Sequence, residues 1–245
     1  MKTALITGAN KSIGFETARQ LLGQGYHVYL GSRDLAKGQQ AAEQLKAEGF
    51  TQVESLQIDV TDRASILAAR EALGRKTSSL DVLINNAGIS GGFPQPALGT
   101  SVGAIREVFE TNVFGVIEVT QTFIDLLQQS PAPRIVNVTS GLGSLTLHND
   151  PSWKYYEVKG AAYAPSKAAL NAYTIMLAYE LRDTPFKVNA VDPGYTATDF
   201  NHHRGPGSVP DAAARVVKAA LLDTDGPTSQ FFSDDNAPET GISPW

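Results

Sequence analysis

The stretch TALITGANKSIGFETARQLLGQG, residues 3–25, decides the fold class. Its first five residues, 3–7, have the apolar composition of a buried strand, and residues 15–25 have the apolar spacing of a helix that ends at glycine. Gly8 and Gly14 bracket the tight turn between them. Two glycines also occur in plain turns, but a strand that turns into a helix aims backbone N–H groups and the positive helix end at one point. This position therefore favours a phosphate site.

The turn has a second possible interpretation, because Lys11 and Ser12 resemble the end of a nucleoside-triphosphate loop. That motif requires a glycine immediately before the lysine, and Asn10 stands there. We therefore reject a nucleoside-triphosphate loop.

Strand and helix patterns alternate along the rest of the chain. The predicted strands are 3–7, 27–32, 53–60, 80–88, 134–140, 187–192 and 228–233, and the predicted helices are 15–25, 35–49, a helix through Leu73 capped by Thr61 or Asp62, 101–127, 165–182 and 211–222. Apolar strands that alternate with helices predict a parallel sheet covered on both faces. Seven strands without a linker predict one doubly wound α/β domain over residues 1–245, with ligands outside the carboxyl ends of the strands.

Composition limits the function classes. Hydrophobic residues make up 42% and charged residues 18% of the 245 residues, as in soluble globular proteins. The net charge of −5 argues against a broad nucleic-acid surface. The absence of cysteine excludes disulfides, thiolate catalysis and cysteine-bound metals, and it favours a cytoplasmic location. No stretch reaches 18 apolar residues, so neither a signal peptide nor a membrane span is expected.

The end of the second strand indicates the cofactor. In this architecture an acid there binds the ribose 2′-hydroxyl of NAD, whereas an arginine accepts the 2′-phosphate of NADP. Ser32 ends the strand and Arg33 follows it, while Lys11 supplies a second positive charge from the first turn. Either cation alone would be interpreted as a solvated surface residue, but together they favour NADP(H). Asp34 is the counter-argument, and we interpret it as the cap of the next helix.

Two tyrosines, Tyr155 and Tyr163, each have a lysine four residues later, Lys159 and Lys167. A nearby ammonium stabilises a phenolate and lowers a tyrosine pKa from its usual value of about 10. Residues four apart share a face only when the segment is helical. A Tyr–Lys pair can therefore act as an acid/base pair only on a helix.

The residues around each pair distinguish them. Gly160 follows the first pair at once and Pro151 precedes it, which indicates a loop. Pro165 suits the first turn of a helix, and residues 166–183 then continue without a breaker. We therefore predict that Tyr163 is the proton donor and that Tyr155 is a surface or pocket aromatic.

Seven motifs now resemble, in order and spacing, those of the short-chain dehydrogenase/reductase family. They are TGANKSIG (7–14), Asp59 in QIDV, NNAG (85–88), Asn112 in ETNVFG, Ser140 in IVNVTS, YAPSK (163–167) and DPGYTATD (192–199). The stretch 32–49 and the last residues resemble the carbonyl-reductase branch. The resemblance covers essentially the whole chain and implies a Rossmann domain and an NADP(H)-dependent oxidoreductase acting on a ketone, aldehyde or alcohol.

The resemblance also implies roles for individual residues. Tyr163 would be the general acid, Lys167 would lower its pKa and bind the nicotinamide ribose, Ser140 would orient the carbonyl, and Asn112 would hold a water that relays protons. Residues alone leave Thr139 and Ser144 as rivals of Ser140, and Asn112 as a solvent-facing polar residue. The implied cofactor-binding residues are Gly8, Asn10, Lys11, Ser12, Ile13, Gly14, Arg33, Asp59, Val60, Asn86, Ala87, Gly88, Tyr163, Lys167, Pro193, Gly194, Thr196 and Thr198.

One residue departs from the family pattern, because Ser12 stands where a glycine is usual. A glycine lets the backbone approach the pyrophosphate without a Cβ. Serine is the mildest replacement and its hydroxyl could bond a phosphate oxygen. We expect altered cofactor affinity and not lost binding.

The 22 residues between Ser140 and Tyr163 form a modest insertion. Pocket lining and packing are equally good interpretations for its larger side chains and for one residue elsewhere (Leu142, Leu145, Trp153, Tyr155, Tyr156 and Phe93), whereas Tyr195 is assigned to the pocket. The pair His202–His203 lies in a Gly/Pro-rich loop, where we expect a mobile lid and no metal.

Two other function classes have the same fold. A non-enzymatic NADPH-binding sensor is the alternative, although all four catalytic residues are present. A sugar-nucleotide epimerase needs a longer C-terminal substrate domain than the 47 residues after Thr198. The sequence leaves a homodimer and a homotetramer as alternative assemblies.

Overall fold

A seven-stranded, entirely parallel sheet forms the centre of the computed structural model, which describes residues 1–245. The strands are β1 (Thr3–Ile6), β2 (His27–Ser32), β3 (Val53–Gln57), β4 (Val82–Asn85), β5 (Arg134–Val138), β6 (Lys187–Val191) and β7 (Phe231–Phe232). They are arranged in the order β3-β2-β1-β4-β5-β6-β7, and each neighbouring pair is parallel. The predicted seven-stranded parallel sheet is confirmed. The strand order reverses between β1 and β4, which is where ligands bind in such sheets.

The chain forms eight α-helices, most of which cover the two faces of the sheet. They are α1 (Ser12–Gly23), α2 (Leu35–Ala47), α3 (Arg63–Gly74), α4 (Val102–Phe109), α5 (Gly115–Leu127), α6 (Leu145–His148), α7 (Tyr163–Glu180) and α8 (Val209–Ala220). Successive residues of β1 point to opposite faces, so Ile6 joins a core cluster of 23 residues and Leu5 joins one of 17. Each such fully buried aliphatic side chain stabilises the fold by about 1.5–3 kcal/mol. None of the helices has the length and apolar content that crossing a bilayer requires.

The predicted single helix 101–127 contains an irregularity. A π-helical turn, Glu110–Phe114, separates α4 from α5. Gly115 ends this turn, and a Cβ there would lie 2.5 Å from the Val60 carbonyl oxygen. The tight contact with the loop after β3 and the inward side chain of Asn112 fix the turn in place. Single π-helical turns of this kind occur often at functional sites.

Most predicted boundaries differ from the structure by a few residues, and two of the differences bear on the argument. The last strand was predicted over 228–233 but contains only Phe231 and Phe232, because Ser229 adopts a left-handed φ of 59° that interrupts the extended backbone. The helix predicted from residue 165 begins at Tyr163. The second difference places the tyrosine inside the first turn of α7.

Candidate active site

The carboxyl end of β5 and the start of α7 meet at one place. Ser140 lies two residues beyond β5 in an extended conformation, with φ of −162°. Its neighbour Thr139 is turned away, because its hydroxyl donates to the Lys167 carbonyl oxygen at 3.3 Å. Ser144, the other rival, caps α6 by accepting from the Leu147 N–H at 3.1 Å. Ser140 is thus the hydroxyl that remains for the cleft.

Tyr163 and Lys167 lie on one face of α7, as the spacing predicted. Tyr163 is 8% exposed and Lys167 is 4% exposed. The Lys167 Nζ lies 5.8 Å from the centre of the Tyr163 ring and donates to the Val138 carbonyl oxygen at 2.9 Å. The ammonium is thereby fixed between the end of β5 and the phenol.

Burial sets the charge states of this pair. It raises the pKa of Tyr163 above its usual value; the Ser140 hydroxyl opposes this shift and the Asp192 carboxylate adds to it. Burial also lowers the pKa of Lys167 from 10.5 to about 8. The expectation that Lys167 lowers the pKa of Tyr163 is not met, because burial is the largest cause of the shift and raises this pKa. A neutral phenol is nevertheless the form that can give up a proton.

Asn112 is fully buried in the π-helical turn and is not the solvent-facing residue of the alternative interpretation. Its Oδ1 accepts from the Ile89 N–H at 2.9 Å, and its Nδ2 donates to the Ile89 carbonyl oxygen at 2.9 Å and to Ser166 Oγ at 3.0 Å. A Cβ at Gly88 would lie 3.2 Å from Asn112 Oδ1 and 3.6 Å from Lys167 Nζ. The loop after β4, the π-helical turn and α7 therefore converge around Lys167.

Gln95 is a positioning residue that sequence reasoning missed. Its Oε1 accepts from the backbone N–H groups of Tyr163 at 3.0 Å and Ala162 at 3.2 Å. Its Nε2 donates to the Ser90 and Gly92 carbonyl oxygens at 2.6 Å each. Gln95 therefore caps α7 at the tyrosine itself. No local signal reveals this contact, because 68 residues separate Gln95 from Tyr163.

Two aromatic rings flank Tyr163 at the mouth of the cleft. The Phe200 ring lies 5.5 Å and the Phe93 ring 6.5 Å from the Tyr163 ring, between centroids. Phe93 is 52% exposed and Phe200 is 43% exposed, so both present apolar surface around the buried phenol. Phe93 was a candidate pocket residue, whereas Phe200 was not identified from the sequence.

The insertion between Ser140 and Tyr163 is attached to the loop that follows β7. Trp153 Nε1 donates to Asn236 Oδ1 at 3.0 Å, and the Tyr155 hydroxyl donates to Asp235 Oδ2 at 2.9 Å. Lys154 Nζ donates to the other oxygen of Asp235 at 2.8 Å. These bonds hold the insertion as a fixed wall, and its own secondary structure is a short 3₁₀ turn, Gly141–Gly143, and α6.

The other predicted pocket residues divide between wall and packing. The Tyr155 ring lies 6.4 Å from the Tyr195 ring and connects the insertion to the loop after β6. Trp153 is buried, which supports its packing interpretation. Leu145 is exposed on α6, Leu142 is half-buried, and Tyr156 stacks under the Lys159 ammonium at 4.0 Å.

The turn after β1 has room for backbone and little else. A Cβ on Gly14 would lie 2.5 Å from Asn86 Nδ2, and one on Gly8 would lie 3.0 Å from the Ala87 Cα. Asn86 Nδ2 donates to the Thr7 and Gly8 carbonyl oxygens at 2.8 and 3.1 Å, which brings the NNAG segment beside the turn. This cradle at the start of α1 fits the phosphates of a dinucleotide.

Ser12 occupies this turn under backbone strain. Its φ is 51°, in the left-handed region that costs a residue with a Cβ about 1–2 kcal/mol and costs glycine little. Lys11 before it is extended, and Ile13 after it lies within α1. The serine has therefore kept the backbone conformation for which a glycine is usual.

The cationic residues at the strand ends are on the surface. Arg33 is exposed directly after β2 and forms no ion pair. Lys11 Nζ pairs with Asp199 Oδ2 at 2.9 Å, and both side chains are largely exposed. Asp34 Oδ1 accepts from the Lys37 N–H at 3.1 Å, so its predicted role as the cap of α2 is confirmed.

The other predicted cofactor residues lie in the loops after β3 and β6. Asp59 Oδ1 accepts from the Thr61 N–H and hydroxyl at 3.0 and 2.7 Å, and Val60 is half-buried beside it. The Pro193 carbonyl oxygen accepts from Arg215 Nη1 at 2.7 Å. Gly194, with φ of 80°, begins the loop after β6, in which Thr196 and Thr198 are buried.

The loop after β6 folds back on itself over the cleft. Thr196 pairs with Gly207 in an isolated bridge, and the 3₁₀ turn Asp199–Asn201 carries Phe200 toward Tyr163. His203 Nε2 lies 2.9 Å from Asp199 Oδ1, whereas His202 has no ion pair. No group of three or more His, Cys, Asp or Glu residues is arranged to hold a metal ion.

The chain is similar to known proteins in both sequence and structure. A family model described as short chain dehydrogenase matches residues 2–208. The chain is 36% identical to (+)-neomenthol dehydrogenase from Capsicum annuum, over 94% of each chain. The solved structure of salutaridine reductase from Papaver somniferum is similar, with a TM-score of 0.83 and 33% identity over 96% of this chain and 100% of that one. An NADPH-bound carbonyl reductase from chicken fatty liver gives a TM-score of 0.84 at 26% identity, over 100% and 99% of the two chains.

Proposed function

The chain belongs to the short-chain dehydrogenase/reductase family of oxidoreductases, and on this premise we propose that it is an NADPH-dependent carbonyl reductase. The observation that carries the proposal is the convergence of Ser140, Tyr163 and Lys167 at the carboxyl ends of the strands. The glycine turn after β1 lies at the same edge of the sheet. The cleft thus combines a dinucleotide cradle with a buried proton donor.

The proposed reaction adds a hydride to the carbonyl carbon and a proton to the carbonyl oxygen. Bound NADPH would supply the hydride. The Ser140 hydroxyl hydrogen-bonds the carbonyl oxygen and stabilises the negative charge that develops there. The Tyr163 hydroxyl donates its proton to that oxygen, which leaves a phenolate. The raised pKa of Tyr163 keeps the phenol protonated, and therefore ready to donate, at neutral pH.

Lys167 and Asn112 support the proton donor. The Lys167 ammonium, 5.8 Å from the Tyr163 ring, stabilises the phenolate after proton transfer. It would also bind the nicotinamide ribose of the cofactor. Asn112 fixes the loop beside Lys167 through its two bonds to Ile89, and the π-helical turn around it leaves backbone groups that could hold a relay water.

We propose that the cofactor is NADP(H) because the two cations follow β1 and β2, where an adenine-ribose 2′-phosphate would lie. Arg33 has no intramolecular partner to compete for it. Arg33→Asp should weaken NADPH binding far more than NADH binding, as measured by fluorescence titration. Lys46→Asp is the matched control, because Lys46 lies at the far end of α2 and pairs with Glu43. Equal loss for the two cofactors would contradict the 2′-phosphate role.

The apolar rings around Tyr163 favour a bulky apolar ketone over a small charged one. Phe93, Phe200 and Tyr195 are each more than two-fifths exposed at the cleft. A panel of carbonyl substrates monitored by NADPH consumption tests this, and it should include salutaridine, with neomenthol assayed as an alcohol with NADP⁺. Apolar cyclic substrates should be turned over fastest. Tight NADPH binding with no turnover across the panel would instead indicate the alternative function, an NADPH-binding sensor.

The proposal also covers domain organisation, cellular location and oligomeric state. We infer that residues 1–245 act as a single domain, since one sheet with a core on each face contains every strand. A cytoplasmic location is supported by the absence of cysteine. We propose a homodimer or a homotetramer, and size-exclusion chromatography with light scattering distinguishes them.

A further inference from the structure

A cavity of about 160 Å³ opens at the amino-terminal edge of the sheet, where β5 begins. It lies at the opposite end of that strand from Ser140. The polar residues that line it are Lys2, Tyr26, Asp81, Arg134, Asp223 and Thr224. A cavity of roughly 150 Å³ suffices to hold benzene, so this one has room for a small organic or inorganic ligand.

Arg134 is the most buried cation of this cavity, with 3% of its surface exposed. Its Nε donates to the Leu222 carbonyl oxygen at 2.8 Å, and its Nη1 donates to the carbonyl oxygens of Pro133 and Pro185 at 3.0 and 3.2 Å. Its Nη2 makes no hydrogen bond and is not fully buried, so it is accessible from the cavity. Burial lowers the pKa of Arg134, and the nearby Tyr26 and Asp223 oppose this shift only in part.

Two further donors in the cavity also lack acceptors. Tyr26 is 6% exposed, yet its hydroxyl makes no hydrogen bond and is not fully buried either. The Lys2 ammonium lies 5.9 Å from the centre of the Tyr26 ring and forms no ion pair. Two nine-tenths buried side chains therefore direct unpartnered donors into one cavity, with a third donor at its rim.

The acidic residues of the cavity form no salt bridge with these donors. Asp81 uses its oxygens elsewhere, because Oδ2 accepts from the Thr3 N–H at 2.7 Å and Oδ1 accepts from Ser130 Oγ at 2.6 Å. Asp223 is exposed at the rim and bonds to no cation. The carbonyl oxygen of Leu222, beyond the end of α8, is already occupied by Arg134. The groups of the cavity that still lack a hydrogen-bond partner are therefore mainly donors.

We propose that this cavity binds a small anion through a carboxylate or phosphate group, held by Arg134 Nη2, the Tyr26 hydroxyl and the Lys2 ammonium. Charged oxygens form the strongest hydrogen bonds with such donors, and the planar guanidinium suits both groups. The site is separate from the proposed reaction, because it lies at the edge of the sheet away from the catalytic residues.

Titration of the full chain with inorganic phosphate and with acetate, at constant ionic strength, tests this site. The backbone ¹H–¹⁵N signals of Tyr26, Asp81 and Ala132 report on it and lie far from the cleft. We expect saturable shifts, with the tighter of the two probes identifying the preferred group. Tyr26→Phe should weaken binding at least about threefold, because it removes one donor without changing the packing.

Two charge variants sharpen the test. Asp223→Asn should tighten binding about twofold to fivefold because it removes a repelling charge, and Lys2→Ala should weaken binding by a similar factor. Lys46→Ala is the control and should leave both dissociation constants unchanged. Linear or absent shifts at the three reporters, or equal dissociation constants in Tyr26→Phe and Lys46→Ala, would overturn the proposal.

Discussion

The pairs Tyr163–Lys167 and Tyr155–Lys159 have the same sequence spacing and different structures. The first pair is at the start of an 18-residue helix, with both side chains buried. The second lies in an irregular loop, where the Lys159 ammonium stacks on Tyr156 and donates to the His148 carbonyl oxygen at 2.9 Å. Lys159 therefore serves its own loop and not Tyr155. A spacing of four residues places two groups together only where a helix continues through both.

The two phenols also differ in the fate of their protons. Burial raises the pKa of both tyrosines. The Tyr155 hydroxyl donates to Asp235, and this bond raises its pKa further because it would be lost on ionisation. The Tyr163 hydroxyl instead has the Ser140 hydroxyl beside it, and this contact opposes part of the rise that burial causes in the Tyr163 pKa. The proton of Tyr155 is committed to a structural bond, whereas that of Tyr163 is available to a substrate.

Exchange of each tyrosine for phenylalanine tests this contrast with the largest expected effect. Tyr163→Phe removes the proposed proton donor, so kcat should fall about a hundredfold to ten-thousandfold, while NADPH binding persists. Tyr155→Phe is the matched control and should keep most of the activity. The measurements are initial rates of NADPH consumption and a fluorescence titration. Loss of turnover in Tyr155→Phe alone would reverse the assignment of the two pairs.

The pH dependence should separate the two lysines. The Lys167 pKa of about 8 means that its charge is present below pH 8 and is lost above it. We expect kcat/KM for NADPH, which reports on the free enzyme, to fall up to about tenfold per unit above pH 8. Lys167→Arg should move this bend to higher pH, and Lys159→Met should leave it in place. An unchanged bend in Lys167→Arg would exclude Lys167 as its origin.

Stability should respond to pH with the opposite sign. The folded Lys167 titrates near pH 8 and the unfolded one near 10.5, so the unfolded chain binds more protons between these values. The contribution of Lys167 to the free energy of unfolding therefore rises between pH 8 and 10.5. Wild type should gain stability in this window relative to Lys167→Met, as measured by urea denaturation. Parallel pH curves for the two proteins would contradict the shift.

Removal of the Gln95 cap should loosen the start of α7, so that Tyr163 is held less firmly, as Tyr155 would be in its irregular loop. Gln95→Leu leaves the Tyr163 and Ala162 N–H groups without their buried acceptor, which should cost about 1–3 kcal/mol for each unsatisfied group. We expect kcat to fall about tenfold with little change in the NADPH dissociation constant. Gln95→Glu keeps the acceptor oxygens and should restore part of kcat. A stability loss with unchanged kcat would show that Gln95 supports the fold but does not position Tyr163.

Weakening the contacts of Tyr155 and Lys154 with Asp235 should have the smallest effect on activity and stability. Asp235→Asn replaces the carboxylate that binds both Tyr155 and Lys154. We expect a loss of about 1 kcal/mol, which lowers Tm by about 2–4 °C, with kcat nearly unchanged. Differential scanning calorimetry and initial rates measure the two effects. A large fall in kcat would show that the insertion acts in catalysis as well as in shaping the wall.

Local patterns predicted the elements, and long-range contacts determined the details of the site. Gly160 and Pro165 were enough to choose between the tyrosines, because both act on their own segment of backbone. Gln95 and Phe200 could not be predicted, since each reaches Tyr163 from a distant part of the chain through the folded structure. The raised pKa of Tyr163 also escaped prediction, because burial depends on every element that packs around it.

The bonds from Trp153, Lys154 and Tyr155 to Asp235 and Asn236 have a consequence for redesign. They join segments about 80 residues apart in sequence into one piece of cleft wall. An exchange of residues 141–162 with those of a relative would leave the loop after β7 without its partners. Transfer of substrate preference between relatives therefore requires both segments to be transplanted together, as a two-part module.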